Sequence, residues 1–93
     1  MVHIAPNLSL INARIMEWDD YELQDSYFRL RLKVLDNDAI DGHIQMAGAE
    51  ADSEIEVLLP KELIGNLQPG RGMEFRAEMQ KISRNLWRVM RFA

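Results

Sequence analysis

Pro60-Lys61-Glu62-Leu63-Ile64-Gly65-Asn66-Leu67-Gln68-Pro69-Gly70-Arg71-Gly72-Met73-Glu74-Phe75 is the stretch whose reading decides the fold. Its first half reads as one short helix. Pro60 suits a first helical turn, where its missing N–H would have had no partner, and Leu63, Ile64 and Leu67 fall on one face. Gly65 weakens the helix toward a single loose turn. Pro69-Gly70 then turns the chain, and Gly70-Arg71-Gly72 is too short to cradle a phosphate. From Met73 the pattern changes to strict alternation, Met73, Phe75, Ala77 and Met79 against Glu74, Arg76, Glu78 and Gln80, which predicts a strand.

Three strand-like runs precede this stretch and one more follows the fourth strand. Residues 8–18 alternate, with Ile11, Ala13 and Ile15 on one face and Asn12, Arg14 and Met16 on the other. Trp18-Asp19-Asp20-Tyr21-Glu22 reads as an acidic, aromatic loop. In residues 26–35, Phe28, Leu30, Leu32 and Val34 point inward and Tyr27, Arg29, Arg31 and Lys33 outward. A long connection, 36–52, follows, in which His43 to Met46 has room for a short strand. The third strand, 53–59, turns Ile55, Val57 and Leu59 inward and Glu54 and Glu56 outward. The last runs from Leu86 to Phe92, with Trp87 and Val89 competing against Leu86, Met90 and Phe92 for the interior. Residues 1–7 are expected to be flexible, and 1–93 to form one domain.

At the level of the whole chain this order resembles the OB-fold superfamily, carried by the Pro60 to Leu67 stretch after the third strand and by Leu67 to Phe75 as the exit into the fourth. The resemblance is topological. It implies an all-β, small five-stranded OB-type Greek-key barrel with one short helix between strands three and four, a fold that binds oligonucleotides or other chains through its second and third strands. A ferredoxin-like sandwich would need two longer amphipathic helices, and an SH3-like barrel would place its helical turn before the last strand, where Ile82 to Asn85 leaves room only for a tight turn.

The 93 residues suffice for one core, and 47% hydrophobic with 28% charged residues marks a globular domain. The absence of cysteine excludes a disulfide scaffold, thiol catalysis and the common structural zinc sites. With no signal-peptide pattern in Met1 to Asn7 and no run able to span a bilayer, the expected location is cytoplasmic, without membrane contact. The net charge of −4 argues mildly against tight nonspecific nucleic-acid binding. It is unevenly spread: residues before Ile64 carry −8 and the remainder +4. An acidic part and a basic strip therefore share one small body.

Two surfaces qualify for binding. Tyr27, Arg29, Arg31 and Lys33 share an outward face, joined by Arg76 and Arg88 of the basic strip. A tyrosine can stack a base while guanidinium groups meet phosphates, the arrangement single-stranded DNA or RNA requires. The blander reading is a solvated ion lattice in which Glu54 and Glu56 pair with those arginines. Trp87 is likewise divided between stacking platform and core. The other surface is the acidic, aromatic loop, where Trp18 and Tyr21 would anchor a protein partner or a second copy of the chain, or else the apolar parts of the Asp36 to Asp52 connection would dock on it.

Asp36 to Gly42 superficially resembles a calcium loop. Counting back from Gly42, however, puts Ala39 at a ligand position, and Gly48 stands where the glutamate should be. No metal or cofactor is expected. His3 and His43 have no nucleophile motif beside them, so the chain reads as non-enzymatic. The leading expectation is a small binding module for single-stranded nucleic acid, the alternative a protein-interaction or assembly subunit.

Overall fold

The alternating runs become five strands in the computed structural model, which describes residues 6–93: β1 (Ser9–Asp20), β2 (Tyr27–Ala39), β3 (Glu54–Pro60), β4 (Glu74–Ser83) and β5 (Leu86–Phe92). They close into a barrel in the order β1-β2-β3-β5-β4, antiparallel throughout except for a short parallel contact between β3 and β5. Strand order and a lone helical turn between β3 and β4 make this an all-β, OB-type Greek-key barrel. Residues 1–5, which include His3 and most of the segment expected to be flexible, lie outside the described residues.

The helix-like stretch is reduced to one 3-10 turn, Lys61–Leu63. Pro60 is not its first residue: it keeps an extended backbone (φ −60°, ψ 126°) and ends β3. Gly65, at φ +58°, takes the chain out of helical geometry two residues later, so the next turn, closed by the Leu67 N–H donating to the Ile64 carbonyl at 3.0 Å, is not a helical one. The chain then runs to Gly70-Arg71-Gly72-Met73, where the Met73 N–H donates to the Gly70 carbonyl at 3.1 Å and Gly72 supplies the positive φ, +85°, that such a turn needs in its third position.

The inward set read from alternation forms the core. Ile11, Ala13, Ile15, Leu30, Leu32, Val34, Ile55, Val57, Leu59, Ala77 and Met79 are buried together with Phe28, Trp87 and Val89. Each fully buried valine, leucine, isoleucine or methionine side chain contributes about 1.5–3 kcal/mol before the entropy of ordering is counted. Met73 departs from the expectation. It precedes β4, and half of its surface stays exposed.

Four bulges redirect the alternation. Met16, Leu35, Ile82 and Met90 have no opposite residue where their strands pair with β2, β1, β5 and β4 respectively. The Met90 bulge resolves the facing of the last strand. Trp87 and Val89 are core, Arg91 lies outward opposite Glu78, and Phe92 meets Phe75 edge-to-face at 5.6 Å. The Met16 bulge carries β1 past the expected boundary, so that Trp18 lies opposite Leu30 and meets Phe28 edge-to-face at 5.5 Å.

β2 also runs further than its apolar pattern, to Ala39, which leaves 40–53 as the connection to β3. Its middle is tied down by a single bridge between Asn7 and Ile44, by the Asn37 amide donating to the Ala49 carbonyl at 2.9 Å, and by Lys81 Nζ on the Ala47 carbonyl at 2.7 Å. His43 to Met46 thus contributes that bridge and no strand. No helix among the described residues is long and apolar enough to cross a membrane.

Candidate ligand-binding groove

Barrel register converts the outward residues of β1, β2 and β3 into cross-strand rows. Asp19 lies opposite Arg29, which lies opposite Leu58; Glu17 lies opposite Arg31, which lies opposite Glu56; Arg14 lies opposite Lys33, which lies opposite Glu54. Opposite charges face each other where Asp19 meets Arg29, where Glu17 and Glu56 flank Arg31 and where Lys33 meets Glu54, the pattern that favours cross-strand pairing, whereas Arg14 and Lys33 set two cations side by side. Arg29 reaches Glu56 at 2.7 Å, and Arg31 reaches Glu17 at 3.0 Å and Glu54 at 3.1 Å. The hydrogen bond that Arg29 donates to Glu56, and then the Glu56 charge, raise the pKa of the Arg29 guanidinium above its ordinary value. All five side chains are about half exposed, so each pair contributes only about 0.2–1 kcal/mol. Their larger effect is to occupy the guanidinium donors.

Leu58 is an addition that alternation in β3 did not disclose. It is buried although it points away from the core, between Arg29 of β2 and Arg88 of β5. The stems of long cationic side chains can cover such a residue. Arg88 donates to Gln80 at 2.9 Å, while its Nε is buried without a partner.

Two turns wall this face into a groove of about 580 Å³. One wall is the β1 to β2 turn, where the Tyr21 N–H donates to the Tyr27 carbonyl at 3.1 Å and the Tyr27 N–H to the Gln24 carbonyl at 3.3 Å. The other is the β4 to β5 hairpin, represented by Ser83, Asn85 and Leu86; the floor includes Arg29, Arg31 and Glu56. Five carboxylates line the groove, Glu17, Asp19, Asp20, Glu22 and Glu56, against two guanidinium groups.

Of the residues considered for nucleic acid, Arg29 and Arg31 line this groove. Tyr27, Lys33, Arg76 and Arg88 do not. Arg76 is on β4 opposite Asn12, 3.8 Å from Asp38. Trp18 and Tyr21, considered for a protein partner, both line it, as does Leu23, whose side chain is 79% exposed. Trp87 is core, with Lys81 Nζ 5.7 Å from its ring centre. Glu17 falls inside the strand expected over 8–18 and Asp19 and Asp20 in the expected acidic loop, but the alternation assigns none of them a cross-strand partner. Their register opposite Arg31, Arg29 and Phe28 depends on a bulge that no residue pattern announces.

Among the described residues no group of three or more histidine, aspartate or glutamate side chains is placed to hold a metal ion. His43 sits in the β2 to β3 connection with Nδ1 3.0 Å from the Asp41 carbonyl. No family model, no curated protein and no solved structure matches the chain.

Proposed function

We propose that this chain is a non-enzymatic docking module that seats a protein partner in the groove between the β1 to β2 turn and the β4 to β5 hairpin. The observation that carries this reading is the composition of the groove: both aromatic anchors, Trp18 and Tyr21, line it together with five carboxylates, and both of its arginines already hold carboxylates. A phosphate entering there would meet a net negative wall and would have to displace Glu56 and Glu54 or Glu17. A protein surface would gain aromatic contact area of the kind that dominates interface energetics.

Single-stranded nucleic acid is the second reading, favoured by Lys33, Arg84 and Arg88, which have no carboxylate within ion-pair distance among the described residues. Affinity capture from the native host with tagged wild-type protein and with Trp18→Ala/Tyr21→Ala separates the two. The docking reading expects a stoichiometric partner that the double variant releases while its fold, followed by circular dichroism, is kept. Retention of every captured protein by the double variant, or recovery of nucleic acid alone, overturns it.

A further inference from the structure

We infer that the edge of β1 from Trp18 to Asp20 accepts an added strand from an extended, lysine- or arginine-bearing segment of the partner. This rests on the docking reading above and names the chemistry of what docks. The edge is open because β4 is too short to cover it. β4 pairs with β1 only from Ser9 to Arg14, and the chain leading into it adds two last bonds at Ile15, to the Met73 carbonyl at 2.8 Å and from the Gly72 N–H at 2.7 Å. Arg71 Nε then covers the Met16 carbonyl at 3.1 Å. Beyond Met16, β1 has β2 on one side and no strand on the other among the described residues.

Register says which backbone groups are free. The Tyr21 N–H bonds the Tyr27 carbonyl, and antiparallel pairing alternates, so Glu17 and Asp19 also direct their backbone groups at β2. Those of Trp18 and Asp20 point away. The Asp20 N–H is met only by the carboxylate of its neighbour, Asp19 Oδ1 at 2.8 Å, which stands where a strand carbonyl would. An unpaired edge of this kind is a template for strand addition.

Charge then selects the strand. Glu17, Asp19, Asp20 and Glu22 flank the edge; Lys61 holds Asp20 at 2.8 Å and Arg31 holds Glu17 at 3.0 Å, while Asp19 and Glu22 have no cation within ion-pair distance among the described residues. Pairing of two copies edge to edge would bring these carboxylates together, so a second copy is disfavoured and a cationic strand is steered in. Trp18, 37% exposed, and Leu23 offer an apolar residue of that strand a place to pack.

The test uses the full chain, isotope-labelled, with three short synthetic peptides of equal length alternating threonine with lysine, glutamine or glutamate. Amide resonances are followed during titration at low salt. The lysine peptide is expected to bind, to shift Trp18 and Asp20 first, and to slow hydrogen exchange at the Trp18 amide. Asp19→Asn with Glu22→Gln should weaken it about tenfold, and Asp41→Asn with Glu50→Gln, remote from the edge, should leave it unchanged. Binding of the lysine peptide that spreads evenly over all acidic loops, or that survives the Asp19 and Glu22 changes, overturns the inference. Preference for the glutamine peptide at the same resonances overturns the charge argument and leaves the docking reading standing. A labelled oligonucleotide that shifts these resonances when no peptide does overturns both.

Discussion

Trp87 shows how differently two tryptophans act on one small barrel. It is 2% exposed in the centre of the core, so Trp87→Ala should destabilise the fold by about 3–5 kcal/mol, measured by urea unfolding. A loss below about 1 kcal/mol would mean that the core does not depend on it. Trp18, more than a third exposed against Phe28, should lose far less on the same change. Glu50 gives a pH-dependent prediction. Its carboxylate accepts the Gly48 N–H at 3.1 Å, and that bond, followed by its own backbone N–H, lowers its pKa. A lowered folded value means that the contribution is present above the unfolded carboxylate range and is lost as pH falls through the folded value. Acidification should therefore release the Gly48 amide, seen as a resonance shift that tracks Glu50 titration and disappears in Glu50→Gln; a Gly48 shift indifferent to Glu50 would refute the assignment.

Turns and bulges, more than strands, set how the elements meet. Gly72 sits at φ +85° with open space where a Cβ would be, so Gly72→Ala should cost about 1 kcal/mol through backbone strain alone, read as a lowered unfolding midpoint. An unchanged midpoint would show that the turn before β4 adapts freely. Asn7 clamps the Lys81 backbone on both sides, donating to its carbonyl at 3.1 Å and accepting its N–H at 2.7 Å. Asn7→Ala should cost about 1–3 kcal/mol and free the β2 to β3 connection to exchange faster. These elements also mark how far sequence could be read. β2 was legible because Phe28, Leu30, Leu32 and Val34 alternate with charged residues without interruption. β1 ends later than its alternation predicts because Met16 bulges, which sets Trp18 opposite Leu30 at the rim of the groove and extends the strand into an acidic run that alone reads as loop. The short helix was legible in position and not in length: Leu63, Ile64 and Leu67 match a helical face, but Gly65 leaves it at φ +58°.

At the scale of the whole molecule, Arg29 and Arg31 on the outward sheet face are held by Glu17, Glu54 and Glu56, all from the acidic part of the chain, while Lys33 on the same face has no carboxylate within ion-pair distance among the described residues. The basic residues were read correctly as outward. What they would touch was not legible, because it depends on register: Arg31 falls between Glu17 and Glu56, with Glu54 one row away. That register pairs both arginines of the groove with carboxylates, and the rest of its lining is a net negative wall with two aromatics. Fluorescence anisotropy of labelled single-stranded DNA and RNA, titrated with the protein at low salt, tests this most directly. The ion lattice predicts no binding in the micromolar range; micromolar or tighter binding that weakens steeply with salt and is abolished by Arg29→Glu with Arg31→Glu would contradict it.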